Sequence, residues 1–371
     1  MPVVSAAVAV AKNTPLEVKE LRLDDPGPDD VLVRIHAVGV CHTDATVLQV
    51  DAFPPPFPAV LGHEGAGVVE AVGANITHVR PGDKVALSFG SCGKCRECSQ
   101  GHPAYCDEFY PYNFFGVRPG DGTPTLFDGD TPISGHFFAQ SSFATMSLAH
   151  RSNVVKLDDD VDLDIVGPLG CGLMTGAGTV RNVLKPDEGD ICVVYGIGGV
   201  GFGALMMAKA LGCSTIIAVD LNEDRLALAR ELGATHTING AAPDLGEQIT
   251  ELTKANSGVD IAVDTTGLAT ISKTAVSTLR RGGRLGLLGF YNQNGEGMDV
   301  AAIPLGSYVY GVVEGDSVPA EMVPLLVDLH RQGKFPFDRL ITFYELADIN
   351  QAFADSHAGT AIKPVIRFPR S

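Results

Sequence analysis

Residues 191–212 read ICVVYGIGGVGFGALMMAKALG, and their order decides how the second half of the chain folds. Five apolar residues, ICVVY, run directly into Gly196, Gly198 and Gly201 in the spacing G-x-G-x-x-G, with Gly199 and Val200 between them, and an apolar helical run follows. That order implies a buried strand, a tight turn and a helix. The first glycine permits the turn, the second lets the backbone approach a pyrophosphate, and the third lets helix and strand pack closely. Asp220, at the end of the next apolar run TIIAVD, lies 19 residues beyond Gly201. A carboxylate there accepts both ribose hydroxyls and repels a 2′-phosphate, so NAD is expected rather than NADP. Arg225 follows, either covering the adenosine side or standing as a solvated helix residue.

Outward from this stretch, VDIAVDTTG and GGRLGLLGFY continue an alternation of strands and helices from about residue 165. Strands dominated by Leu, Ile and Val belong to a parallel sheet covered on both faces. Residues 1 to about 150 have another texture: short alternating runs such as VLVRIHAVGV and GAGVVEAVG, broken by PGPDD and RPGDK, indicate a small β-rich domain. After about 315, VPLLVDLHRQGKF is expected to be a helix, and the Pro-containing tail returns to the composition of the first domain. A chain of 371 residues is too long for one ordinary core and fits two domains, one interrupting the other.

The net charge of −17, with no block of Lys or Arg, repels phosphate backbones and anionic membranes, so nucleic acid is excluded as a partner. There is no apolar stretch of 18 residues and no basic region ahead of the short apolar run near the start, so no membrane span and a cytoplasmic location are expected. In that compartment close cysteine spacings are more often metal sites than disulfides.

Half of the eight cysteines lie in residues 91–106, SCGKCRECSQGHPAYC. Cys92, Cys95, Cys98 and Cys106 have the spacing C-x2-C-x2-C-x7-C, which can close four thiolates around a zinc ion and leave it no open position. Four cysteines also hold iron–sulfur clusters, usually at other spacings. Cys192 and Cys213 fall in or beside strands and read as small buried hydrophobes. Cys41 opens CHTD, Cys171 sits in GPLGCGLMTG, and GHEGAG between them carries His63 and Glu64. Two thiolates and one imidazole make a three-ligand zinc site with an open fourth position.

In their order and spacing, CHTD, GHEGAGVVEAVG, the four-cysteine loop, GCG, GIGGVG and the acidic strand end resemble the zinc-dependent medium-chain alcohol dehydrogenases over essentially the whole chain. The resemblance implies an α/β protein: a GroES-like β-rich catalytic domain, residues 1–173 with 315–371 returning to it, and a Rossmann NAD-binding domain with a doubly wound parallel sheet, 174–314. It implies two zinc ions per chain. Cys41, His63 and Cys171 would hold the catalytic one, with Glu64 behind it as an alternative ligand, and the four-cysteine loop would hold the structural one. Asp44 would orient His63. Thr43 would touch the alcohol oxygen and pass its proton towards the cofactor ribose. His42 and Lys363, the latter in AIKPVIRF, would contact the cofactor phosphates, and Thr175 and Val200 would pack the nicotinamide. Many members complete the proton relay with a histidine three residues after the hydroxyl residue. Here that position is Thr46, so water, or His42 by another path, would finish the transfer.

Ser88, Phe137 and Phe290 match positions that line the family's pocket. Two aromatics and no charge point to an apolar substrate, although either Phe fits a core equally well. The tail is similar to the aryl and allylic, benzyl-alcohol type. The expected reaction is therefore hydride transfer between NAD(H) and a primary alcohol/aldehyde pair, aromatic or allylic, with zinc polarising the substrate oxygen. Residues 107–135 depart most from the family pattern and are expected to shape the pocket entrance. The alternatives are a biosynthetic reductase of the same family, acting on an aldehyde or another polarised double bond, and a zinc-stabilised NAD-binding protein without turnover. The family assembles as homodimers and homotetramers.

Overall fold

The structure, a computed structural model, describes residues 1–50, 55–289, 298 and 300–369. The chain divides into two compact units: Met1–Cys171 with Val318–Val327 and Asp338–Ser371, and Gly172–Ser317 with Asp328–Phe337. Asp328–Phe337 departs from the expectation that the whole tail returns to the first unit. A local cluster of Phe335, Phe337 and His330 organises this segment, and no change of composition marks it.

The second unit is built on a parallel sheet with strands in the order His236–Asn239, Thr215–Asp220, Ile191–Tyr195, Val259–Asp264, Leu279–Leu287 and Tyr308–Gly311. Every residue of Ile191–Tyr195 is buried, as a strand covered on both faces requires. Val193, Tyr195, Ile217, Val219, Val259 and Leu285 belong to one core cluster, to which Leu245, Ile249, Ala275 and Val276 add helical side chains. The chain leaves Ile191–Tyr195 towards one edge of the sheet, then returns at Val259–Asp264 to build the other half. That reversal is the switch point where open α/β sheets bind ligands.

The first unit holds two sheets. In the larger one the spine is Asp30–Gly39, which pairs antiparallel with Glu64–Val72 along one edge. Its other edge is shared by Met146–His150 and, nearer Gly39, by Lys363–Arg367 from the tail. Gly39 and Glu64 face each other in register. That pairing brings Cys41, just past one strand, and His63, just before the other, to the same end of the sheet.

Most of residues 107–135 is built into the first unit's smaller sheet and its surroundings. Leu126–Asp128 and Thr131–Ile133 form a hairpin that extends the five-stranded sheet beyond Glu17–Leu23. Arg118, buried before that hairpin, donates to Asp30 at 2.7 Å, Asp24 at 2.9 Å and the Asp25 carbonyl at 2.9 Å. Only the helix Phe109–Phe114 reaches the aromatic cluster around His63. Among the described residues, no single helix is long and apolar enough to cross a membrane. Phe290 lies outside the described residues.

Candidate active site

Cys41 is the residue before the helix His42–Gln49, and Asp44 is buried in that helix's first turn. The Asp44 carboxylate accepts from the Cys41 N–H at 3.1 Å, from the Gly62 N–H at 3.0 Å and from His63 Nδ1 at 3.1 Å. One carboxylate thus fixes the backbone of Cys41, the backbone of Gly62 just before His63, and the ring orientation of His63. With Nδ1–H donating to Asp44, the other ring nitrogen, Nε2, is buried and has no hydrogen-bond partner among the described residues. Phe138 stacks on the ring at 4.4 Å between centroids and Phe137 meets it edge-on at 5.5 Å.

Ligand atoms of Cys41, His63, Glu64 and Cys171 all lie within 4.8 Å of one another. An unpaired buried nitrogen is costly in a folded protein unless something absent from the polypeptide satisfies it. Two sulfurs and one imidazole nitrogen are the donor set of a catalytic zinc, and the residues fit that ion. Hydrogen bonding from Cys171 holds the Cys41 thiol well below its usual range against the opposing effect of burial, with His63 and Lys363 assisting. Burial pushes His63 down most strongly, yet Asp44 and Cys41 together more than reverse it.

Lys363 requires a correction. It was expected to contact the cofactor phosphates, but its ammonium is 4% exposed and donates to both Glu64 oxygens at 2.9 Å and to the Val40 carbonyl at 3.3 Å. An ammonium has three protons, and three acceptors use them. Burial pushes Lys363 down, and Glu64 and Cys41 more than offset it, so it stays charged. Glu64 is raised by burial, and Lys363 opposes that shift most strongly, with His63 assisting. The tail strand carries Lys363 there because Val365 pairs with Gly39, two residues before Cys41.

The four-cysteine loop closes on itself. Cys92 and Cys98 sulfurs are 4.0 Å apart, as are those of Cys95 and Cys106. Backbone N–H groups of Cys92, Cys95 and Cys98 point at Cys106, Cys92 and Cys95 sulfurs. Such donors favour thiolate, and those of Cys98 and Asp107 bring Cys95 down to about 7. All four sulfurs lie within 4.8 Å of one another, which fits one tetrahedrally held zinc.

In the second unit Gly196 adopts φ +83°, and a Cβ on Gly201 would meet the Gly196 carbonyl oxygen at 1.9 Å. The turn therefore needs glycine at both places. A Cβ on Gly198 meets nothing within 4 Å, so this glycine borders open space, as a position approached by a ligand should. Gly199 opens the helix Gly199–Ala210, in whose first turn Val200 is half-buried. Asp220, half-buried at its strand end, accepts from the Ile197 N–H at 2.6 Å and the Asn222 N–H at 2.9 Å. Arg225 stands 4.0 Å from it. Thr175 donates to the buried Glu314 at 3.3 Å.

Two pocket assignments also change. Ser88 and Phe137 are both 0% exposed. Ser88 spends its hydroxyl on the Gly170 carbonyl at 2.6 Å, and Phe137 packs against His63, Phe114 and Phe138. Both are core groups supporting the metal cluster. Thr43 Oγ1 lies 3.7 Å from the Cys41 sulfur, and His42 is exposed at the start of the same helix. Thr46 donates its hydroxyl to the His42 carbonyl at 3.0 Å, one turn back. Sequence reasoning missed Gln140, buried beside His63. The signal was an amide inside the apolar run GHFFAQSSFA, where burial obliges every polar atom to find a partner.

Comparison with known proteins agrees with this geometry. Residues 27–159 match the alcohol dehydrogenase GroES-like domain and residues 199–329 match the zinc-binding dehydrogenase family. A geraniol dehydrogenase from Castellaniella defragrans is 42% identical over 370 residues, covering 98% of each chain. Among solved structures, an alcohol dehydrogenase zinc-binding domain protein from Burkholderia ambifaria is similar with a TM-score of 0.95 at 46% identity, covering 100% of each chain. A benzyl alcohol dehydrogenase from Acinetobacter calcoaceticus is similar with a TM-score of 0.94 at 44% identity, again over 100% of both chains. This chain belongs to the zinc-dependent medium-chain alcohol dehydrogenases.

Proposed function

We propose that this enzyme oxidises aromatic or allylic primary alcohols to aldehydes with NAD, and reduces the aldehydes in reverse, at a centre formed by Cys41, His63 and Cys171. The observation that carries the site assignment is His63 Nε2, buried without a partner among thiols. The substrate class rests on likeness to a geraniol and a benzyl alcohol dehydrogenase, since geraniol is allylic and benzyl alcohol aromatic. When bound, zinc supplies Lewis acidity that acidifies an alcohol hydroxyl, and NAD supplies the hydride acceptor.

The chain's own residues do the rest. Asp44 holds His63 in the tautomer that leaves Nε2 free for the metal. Thr43 Oγ1, beside Cys41, takes the alcohol proton. The relay does not continue through Thr46, whose hydroxyl is committed to its own helix. Water is therefore the terminal acceptor. Lys363 keeps Glu64 paired, so Glu64 serves as an alternative ligand only when that pair opens. Asp220, with Arg225, receives the adenosine ribose; Gly196, Gly198, Gly199 and Gly201 admit the pyrophosphate, which His42 contacts; Thr175 and Val200 pack the nicotinamide. In this division residues 1–173 and 315–371, apart from Asp328–Phe337, act as the catalytic domain and 174–314 as the cofactor domain. The enzyme works in the cytoplasm as a homodimer or homotetramer. The assembly is supported by Leu305 and Tyr308, 74% and 59% exposed at the open edge of the parallel sheet.

Initial rates test this directly. Benzyl alcohol and geraniol with NAD should exceed ethanol by at least about tenfold in kcat/KM, as burial of a larger apolar group predicts. A preference for ethanol, or equal use of NADP, would contradict the substrate or cofactor assignment.

A further inference from the structure

Gln140 lies in residues 136–143, a buried segment with unusual backbone. Phe138, Ala139 and Ser141 all have left-handed φ, at 51°, 56° and 60°, although none is glycine. Such residues persist only where their surroundings over-determine them, and they gather at functional sites. Here Asn153 donates to the Phe138 and Ala139 carbonyls, Ser141 donates to Val60, and the Ser142 and Phe143 N–H groups donate to Gly62 and Leu61. The segment is strapped to the chain leading into His63.

At its centre the Gln140 side chain is 0% exposed and makes every hydrogen bond an amide can make. Nε2 donates to the His63 carbonyl at 2.9 Å and the Ser88 carbonyl at 2.8 Å. Oε1 accepts from the Gly65 N–H at 3.2 Å and the Ser142 hydroxyl at 2.6 Å. Two carbonyls on one side and two donors on the other admit only this orientation of the amide. The placement follows from sheet register. Glu64–Val72 and Lys84–Leu87 pair as far as Ala66 and Ala86, so the next rungs would join Gly65 to Leu87 and Glu64 to Ser88. There the ladder has ended, and the Gln140 amide takes the place of the missing peptide bonds. Gly65 makes room for it: a Cβ there would come within 2.3 Å of the Ser142 hydroxyl and 3.1 Å of Gln140 Oε1. Ser88 extends the connection, since its hydroxyl donates to Gly170, the residue before Cys171.

We infer that Gln140 is a positioning residue for the metal centre, its amide, together with Ser88, setting the separation between the His63 and Cys171 backbones. Asp44 braces Cys41 to His63, and Gln140 with Ser88 braces His63 to Cys171. The inference rests on the reading that Cys41, His63 and Cys171 hold the catalytic zinc.

The test follows zinc release from the holoenzyme to a chromogenic chelator, alongside loss of alcohol oxidation. Gln140→Glu keeps the shape but turns a carboxylate oxygen towards two carbonyls, and Gln140→Met removes the hydrogen bonds. In both, the zinc whose departure coincides with loss of activity should leave about 10- to 100-fold faster than in the wild type, the usual cost of losing a partner that orients a ligand. The zinc of the four-cysteine loop should leave at the wild-type rate. Ser88→Ala should accelerate the same zinc by a smaller factor, and it decides the matter if the Gln140 variants do not fold. Unchanged release, or equal acceleration of both zincs, would overturn the inference. A wild-type protein holding one zinc would overturn the metal reading beneath it, and that result is visible before any variant is made.

Discussion

Lys363 and Glu64 form a buried ion pair, with the Cys41 thiol as a further negative neighbour of the ammonium and His63 as a further positive neighbour of the carboxylate. Removing one partner strands the other, which typically costs about 3–5 kcal/mol, whereas replacing both with apolar groups is far milder. Lys363→Met should therefore lower the urea midpoint sharply, and Glu64→Leu/Lys363→Met should recover most of the loss; equal destabilisation in both would contradict the pairing. In the proposed reading Asp220 repels a 2′-phosphate, so Asp220→Asn should lower the NAD over NADP ratio of kcat/KM by about tenfold or more. An unchanged ratio would remove Asp220 from cofactor choice. These two residues differ in how far the sequence revealed them. Asp220 follows its motif by a fixed interval along one strand–helix–strand unit, so local spacing locates it. Lys363 depends on a tail strand pairing beside Gly39 across more than 300 positions, and only the sheet register shows that its charge points inward.

The turn between Ile191–Tyr195 and Gly199–Ala210 was fully legible, because every requirement is local: an apolar strand, a glycine with positive φ and a glycine beneath a carbonyl. Gly201→Ala must push strand and helix apart, since the added carbon would lie 1.9 Å from the Gly196 oxygen. Overpacking of that kind costs about 1–3 kcal/mol, and NAD affinity measured by fluorescence titration should fall with it. Wild-type affinity in this variant would show that the turn does not receive the pyrophosphate. The strap of residues 136–143 was only half legible. Its aromatics suggested a pocket wall, since apolar residues at a pocket and in a core look alike in sequence. The hydrogen bonds to Val60, Leu61, Gly62 and His63 make it a brace for the metal-binding strand instead. Nothing local to GHFFAQSSFA reveals which backbone groups lie across from it.

Across the whole molecule, acid stability depends on groups that folding keeps neutral. His136 is fully buried, and neither ring nitrogen has a hydrogen-bond partner among the described residues. Burial, assisted by the positive charges of His150 and Arg118, pulls it down to about 3 from an ordinary 6.5. Between those values the unfolded chain takes up a proton that the folded one refuses, so stability declines as pH falls below 6.5 and the contribution levels off near 3. A full proton corresponds to about 1.4 kcal/mol per pH unit. His136→Asn should flatten the decline in urea-derived stability over this range by up to that slope, and parallel profiles would contradict the assignment. At this scale the two metal sites also separate in character. The four-cysteine loop is contiguous, readable from spacing, and offers four sulfurs that saturate an ion. Cys41 and Cys171 are 130 positions apart and meet His63 only because Gly39 and Glu64 pair in register and Ser88 reaches Gly170. In the proposed reading the reaction belongs to the dispersed set, since there the two thiols and one imidazole leave a position for substrate. The most direct test is zinc content per chain, measured with NAD-linked benzyl alcohol oxidation, in the wild type and in Cys171→Ala. Two zincs falling to one, with activity abolished, is the predicted result; two zincs retained, or activity surviving the loss of one, would contradict it.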